Sequence, residues 1–205
     1  MGCKLSTNHT QKYDEVINIS SIKLSSNTKS LFKSYTSNTT TEFNKIFQNK
    51  LFIGRVVDIY DGDTITCIIN VFGGFFMLNI RLSDIDTCEM KAKNEKCKEL
   101  ALKARKRMFQ LITKTDPKSK QDIDLRISRK ELKCVLQINV YLVQIMCGIF
   151  EKYGRLLGHI YDVTDTTCLK SNSYNHVLLR EKLAYEYIGG TKLSEDEQLR
   201  RLNDY

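Results

Sequence analysis

From Thr64 to Phe72 apolar and polar residues alternate, with Ile65, Cys67, Ile69 and Val71 in one phase and Thr64, Thr66 and Asn70 in the other. This period of two predicts a half-buried β-strand. Val56 to Tyr60 is also β-prone, and between the two segments Asp61-Gly62 tolerates the left-handed region and predicts a tight turn, with Asp63 just past it. Gly73-Gly74 predicts the next hairpin. In the strand that follows, Phe76, Leu78, Ile80 and Leu82 share one face, while Asn79, Arg81 and Ser83 share the other. On spacing alone Arg81 points away from the core as a solvated charge, and Asp63 and Asp86 are ordinary turn and strand-end aspartates.

Further along, Ala92 to Ile112 puts Cys97, Leu100, Ala101, Ala104, Met108 and Leu111 at helical spacing, with lysines and arginines around the rest of the cylinder. Thr115-Asp116-Pro117 ends that helix, and 118–127 reads as an insertion. Ser128-Arg129-Lys130-Glu131 has the form of a capping box and predicts a short helix through about Gln137. Asn139 to Phe150 is β-branched and apolar, so it predicts a strand that turns at Glu151–Arg155 and returns over Leu156–Val163. Between 165 and 188 another helix is expected, with Val177, Leu178 and Leu183 packing inward, followed by Ala184-Tyr185-Glu186-Tyr187 and ended by Gly189-Gly190. Ser194-Glu195-Asp196-Glu197 offers a second capping box for a charged final helix.

At 205 residues with 41% hydrophobic positions, the chain can build one domain with a proper core but not two of ordinary size plus a tail. No run reaches the roughly 18 apolar residues of a membrane span, and no apolar segment near the start resembles a secretory signal, so an intracellular protein is expected. The seven cysteines are scattered without any C-x-x-C, which argues against a disulfide scaffold or a zinc site and for reduced, buried thiols. A net charge of +8 favours polyanionic partners, either nucleic acid or an anionic membrane surface. Half of that excess lies in residues 1–50, where seven lysines face Asp14, Glu15 and Glu42.

The first six residues, Met-Gly-Cys-Lys-Leu-Ser, fit the N-myristoylation pattern with Gly2 as acceptor. One acyl chain anchors only marginally; a palmitoyl group on Cys3 or the following lysines would supply the second signal. Thr7 to Asn49 is rich in Ser, Thr, Asn and Lys and reads as a flexible or partly ordered linker, with the spacing of a short amphipathic helix near Thr41–Gln48. The expected organisation is an acylated tether over 1–49, a globular domain over 50–190 and a charged helical tail over 191–205.

Three segments in order, D-G-D-T at 61–64, R-L-x-x-I-D-T-x-E at 81–89 and K-Y-G-R-L-L-G at 152–158, with an amphipathic helix in the second gap, resemble the staphylococcal nuclease-like (thermonuclease) family over about residues 50–190. The resemblance implies a mainly β fold with packed helices (α+β), an OB-fold five-stranded barrel. It implies Asp63, Asp86 and the backbone carbonyl of Thr87 as Ca²⁺ ligands, with Asp61 supporting them from behind. Arg81 and Arg155 fall on the catalytic arginines and Glu89 on the catalytic glutamate. Lys152 and Tyr153 in the K-Y-G-R turn, with Tyr185 and Tyr187, fall where the family holds the nucleotide, and buried aromatic packing is the alternative for the last two. Some eukaryotic members carry a similar acylated N-terminus. Cys88 stands where the family usually has proline, which removes a rigid φ beside Glu89. Glu151 stands where it usually has aspartate.

The residue types suit the chemistry. Carboxylates and a carbonyl are hard oxygen donors for Ca²⁺, guanidinium forks pair bidentately with phosphate oxygens, and a carboxylate accepts the proton of an attacking water. The expected function is therefore a Ca²⁺-dependent endonuclease acting on DNA and RNA, preferring single-stranded or unpaired substrate, held by its acylated N-terminus at the cytoplasmic face of a membrane, with no obligate protein partner evident. A catalytically silent nucleic-acid-binding module and a membrane-tethered protein-binding scaffold are the alternatives.

Overall fold

A computed structural model describes residues 42–119 and 123–203. Gly2, Cys3 and nearly all of the expected linker lie outside the described residues. The chain divides into two units, Met1–Ile46 and Phe47–Tyr205. Among the described residues of the first, a 3-10 turn, Phe43–Ile46, lies inside the segment with amphipathic helical spacing, and Lys45 Nζ donates to Glu42 at 3.2 Å.

The second unit opens with Phe47, which sits in the tether by composition but is buried between the rings of Phe52 and Phe150 at 5.6 and 5.4 Å. Five strands form a closed barrel: β1 (Leu51–Ile59), β2 (Thr64–Val71), β3 (Gly74–Leu82), β5 (Leu142–Phe150) and β6 (Leu156–Asp162), in the order β1-β2-β3-β6-β5. Every pairing is antiparallel except β3 with β6, which run parallel over Ile80–Leu82 and Leu156–Gly158. Alternation holds in β2, where Ile65, Cys67, Ile69 and Val71 are all buried, as are Val56, Ile80, Val143, Ile145 and Ile160 on the other barrel strands. A second, two-stranded sheet pairs β4 (Ile85–Asp86) with β7 (Tyr185–Glu186).

Helices pack outside. Helix α1 (Glu95–Thr113) starts on Asn94, whose side chain accepts from the Lys96 and Cys97 amides, and ends at Lys114 in the left-handed conformation, φ 58°. Its buried face is wider than the apolar spacing predicts, taking in Arg105, Phe109 and Gln110. Helix α2 (Arg129–Ile138) has both arms of the predicted capping box, Ser128 and Glu131. Arg129 and Lys133 pair with the buried Asp58 of β1, and the Arg129 guanidinium lies 4.6 Å from the Tyr60 ring centre, which fastens the helix to the barrel. Helix α3 (Tyr174–Arg180) carries Asn175, whose amide donates to the Ser83 and Gly158 carbonyls and accepts from the Ile160 amide. Helix α4 (Glu195–Asn203) keeps only one arm of its expected capping box: Ser194 Oγ accepts the Glu197 amide, while the Glu197 carboxylate turns to Arg200 and Arg201.

Three local expectations change. Residues 184–187 do not continue a helix; α3 ends at Arg180 and Tyr185–Glu186 is drawn into the small sheet by β4. The β2–β3 turn is centred on Phe72-Gly73, both at positive φ (52° and 81°), and Gly74 already belongs to β3. At 61–62 neither residue has positive φ, so glycine is needed there for room: a Cβ on Gly62 would lie 2.5 Å from the Ala104 Cβ of α1 and 3.0 Å from Thr87 Cγ2. The six described cysteines are free, and no helix among the described residues is long and apolar enough to cross a membrane.

Because α1 presses directly on Gly62, Gly62→Ala is expected to destabilise the domain by about 1–3 kcal/mol through overpacking. Ala104→Gly in the same chain should recover part of the loss despite glycine's own cost in a helix. Urea denaturation of the two variants and the double mutant checks this: strictly additive losses would show that the contact does not limit the packing.

Candidate active site

The turn after β1 is closed by short-range bonds. The Tyr60 amide donates to the Thr64 carbonyl and the Asp63 amide to Asp61 Oδ1, while the Leu82 amide takes the Asp63 carbonyl at 2.8 Å. Asp63 is thereby fixed beside the end of β3 and buried. Both of its oxygens are engaged. Oδ1 accepts from Thr64 Oγ1 and pairs with Arg81, and Oδ2 accepts from the Thr87 amide and hydroxyl, each at 2.9 Å.

After Leu82 the chain reverses at Asp84, whose φ of 64° suits an aspartate better than most side chains. The reversal brings Asp86 back against Arg81 on the strand it has just left. Arg81 Nη2 donates to Asp86 Oδ1 at 2.6 Å and to the Ile85 carbonyl at 3.2 Å, so one guanidinium joins Asp63 and Asp86. Arg81 is 9% exposed. The solvated charge expected from spacing alone is instead a buried one, because Asp63 and the returning Ile85-Asp86 segment close on the guanidinium.

Behind Asp86 stands Tyr185, fully buried, with its hydroxyl on Asp86 Oδ2 at 2.7 Å. No ring face is left open to a substrate, so this tyrosine positions a carboxylate. It packs with Cys88, Ala92, Cys97, Ala101 and Leu202 in a small core that knits the 84–90 segment to α1 and α4. Cys88 therefore anchors the residue before Glu89 by burial, which is what a proline would have done by its ring. Burial and the neighbouring Cys97 push its thiol up to about 12, outside the range of a reactive thiolate.

These elements border a cleft of about 680 Å³. Asp61, Asp63, Arg81, Asp86, Thr87 and Glu89 line it from the first half of the domain, and Lys152, Tyr153, Arg155 and Tyr187 from the second. Glu89 is half exposed and paired with Lys192. Arg155 pairs with Glu151 on its own turn, and its Nη1 lies 3.5 Å from Thr64 Oγ1. The Tyr153 ring is 74% exposed with Lys152 Nζ 5.0 Å from its centre, free to meet a flat ligand. Tyr187 donates its hydroxyl to the Gly190 carbonyl, and its amide bonds to the Asp84 carbonyl. Lys192 is the residue that sequence reading passes over. The Gly189-Gly190 pair, at φ 100° and 109°, reads as a helix stop, yet it bends the chain back so that Lys192 reaches the cleft.

The electrostatics are those of a surplus of carboxylate. Burial alone would raise Asp63, but the Arg81 guanidinium outweighs it and holds the carboxyl below its usual range. Burial opposes the charge on Arg81 too, and Asp63 and Asp86 more than offset it. For Asp61 the balance runs the other way: burial first, then the neighbouring Asp63 charge, outweigh the opposing pull of Arg81 and push it up to about 8. Among the described residues no three His, Cys, Asp or Glu side chains form a ready metal cage. The donor set nonetheless suits a hard cation, since it is all oxygen: the carboxyl groups of Asp61, Asp63 and Asp86 meet at one guanidinium. Oδ1 of Asp63 and Oδ1 of Asp86 are both engaged by Arg81.

No family model and no curated protein matches the chain.

A raised acid pKa means that folded Asp61 keeps a proton which the unfolded chain has released above about pH 4. In chelator, stability should therefore fall as pH rises from about 5 to 8, and Asp61→Asn should remove most of that fall. Urea midpoints at pH 5.5 and pH 8 for both proteins test this; parallel pH profiles would count against a neutral Asp61.

Proposed function

We propose that this chain is a Ca²⁺-dependent nuclease of the staphylococcal nuclease-like kind, its closed barrel an OB-fold, hydrolysing phosphodiester bonds in DNA and RNA and held at a membrane by an acylated N-terminus. One observation carries the reading. Asp63, Arg81, Asp86 and Glu89 from the first half of the domain and Arg155 from the second, residues of separate motifs, line a single cleft.

Asp63, Asp86 and the Thr87 carbonyl would hold the ion, which when bound supplies charge neutralisation at a phosphoryl oxygen. Glu89 takes a proton from the water that attacks phosphorus, the bond from phosphorus to the leaving oxygen breaks with its electron pair on that oxygen, which takes a proton from solvent, and the charge that grows on the phosphoryl oxygens meets Arg155 and Arg81. Tyr153 and Tyr187 border the cleft where a base would stack, and the exposed Tyr153 ring favours unpaired substrate. Each charged group exchanges an internal partner for the substrate: Arg155 leaves Glu151, Glu89 leaves Lys192, and Arg81 shares its carboxylates with the ion.

Arg155 is the cleanest probe, because its polar partners are Glu151 and Thr64 and it carries little of the fold. Arg155→Ala should lower turnover by roughly 10² to 10³ while oligonucleotide binding changes much less. Arg155→Lys should recover little, because an ammonium cannot reproduce the bidentate fork. Asp63→Ala should lose activity and Ca²⁺ dependence together. The measurement is steady-state cleavage of a short single-stranded oligonucleotide across a Ca²⁺ titration, with folding followed by circular dichroism. Folded wild-type protein that binds the oligonucleotide without cutting it would establish the silent module instead.

For the tether, Gly2→Ala should abolish acylation and move the protein to the soluble fraction, and Cys3→Ser should weaken retention, neither changing cleavage in vitro. Retention of the Gly2→Ala protein on membranes would show that acylation is not the anchor.

A further inference from the structure

The tip of the β2–β3 hairpin is built in a way that the fold does not require. Phe72 is a bulky residue at positive φ, a conformation in which glycine or asparagine is at ease, and its ring is 82% exposed. It takes on backbone strain without packing in return. Phe75, Phe76 and Met77 follow at 76%, 55% and 68% exposure, and Gly74 leaves room for the Phe76 ring, since a Cβ there would lie 2.8 Å from Phe76 Cε2. The antiparallel register, with Gly54 opposite Ile69, carries Lys50 and Leu51 to the level of the tip, where Leu51 and Ile53 are each about half exposed. The result is a cluster of exposed apolar residues at one end of the barrel.

Charge limits what this surface can meet. Between Asp63 and Asp84 the only charged residue is Arg81, at the far end of β3 from the tip. Residues 47–57 and β5 hold no carboxylate either, and the ionic groups in these two segments are Lys50 and Arg55; Asp58, next along β1, is buried and paired with Arg129 and Lys133. A nucleic acid strand would need cations along the hairpin to meet its phosphates, and the hairpin has none beyond Arg81. An apolar protrusion bordered by a few cations and free of carboxylates fits the boundary of an anionic bilayer. The chain's own Met-Gly-Cys-Lys-Leu-Ser start bears the pattern of a lipid anchor.

We propose that the β2–β3 hairpin tip is a membrane-contacting element that seats Phe72, Phe75, Phe76 and Met77 in the interfacial layer of an anionic bilayer. This deepens the membrane part of the proposed function by naming a second contact, independent of the acyl chain and of the nuclease chemistry.

The chain contains no tryptophan, so Phe75→Trp creates a sole indole reporter that can be excited apart from the tyrosines. Full-length protein made without acylation is titrated with phosphatidylcholine–phosphatidylserine vesicles. The expected result is a blue shift of the indole emission and co-sedimentation with the vesicles. Combined Phe72→Ser, Phe76→Ser and Met77→Ser changes should lower the partition coefficient on the order of tenfold or more, with an unchanged urea midpoint because the residues are exposed. A Leu169→Trp reporter, at an exposed apolar position on the β6–α3 connection, should not shift. The proposal is overturned if the hairpin reporter ignores vesicles, if both reporters shift alike, or if an oligonucleotide and not vesicles changes the signal. It is equally overturned if the emission is already blue-shifted without lipid, which would mean that a second copy or the chain's own N-terminal segment covers the tip. A silent hairpin reporter with acylated protein still on membranes would leave the tether standing.

Discussion

The arrangement at this end of the barrel depends on Arg81 being shared between Asp63 and Asp86. Two carboxylates approach closely, away from water, because one guanidinium lies between them, and the backbone they belong to follows. Asp63 is thereby held to β3, Asp86 folds back onto the strand that precedes it, and Asp63 in turn grips Thr87 through two further bonds. Removing the arginine would leave uncompensated buried charge, a loss on the order of 3–5 kcal/mol. The same three groups border the cleft, so structural integrity and any chemistry performed there draw on one ion cluster. Tyr185 extends it to β7 and, through the small core around Cys88, to the last helix.

A consistent feature of the cleft is that its charges are answered from within. Lys192 answers Glu89 and Glu151 answers Arg155, both across partly exposed pairs whose net worth in water is small. Such pairs hold side chains in place at little energetic depth, so a polyanion can displace them. The buried cluster around Arg81 is a different case, held by desolvation as well as by charge. The cleft thus has a yielding rim and a stiff floor.

Much of this was legible in the chain. The alternation of β2 reports a real barrel face, the Ser128–Glu131 box is formed as read, and the grouping of Asp63, Arg81, Asp86, Glu89 and Arg155 on one cleft follows the order of their motifs. What escaped reading depends on partners far away in sequence. Strand parity sets Arg81 apart from the apolar residues of β3, but only the chain reversal that returns Ile85 and Asp86 onto its guanidinium, with Tyr185 a hundred positions later holding Asp86, makes it a buried charge. Tyr185 looks like a stacking residue until its burial against Asp86 is seen. Gly62 looks like a turn glycine, whereas the demand comes from Ala104 on a helix, and no local window contains both.

The strand order has a temporal consequence. β1, β2 and β3 are neighbours in sequence and can pair as soon as they leave the ribosome, but β5, which closes the cylinder against β1, and β6, which joins β3, arrive more than fifty residues after β4. Such distant contacts are the slow ones in folding. An emerging chain therefore carries Asp63, Arg81 and Asp86 well before Arg155 exists to face them, and Tyr185 and Lys192 come later still. The cleft is among the last parts of the domain to be completed, so a truncated or unfinished polypeptide holds the acidic half of the site without its opposite wall.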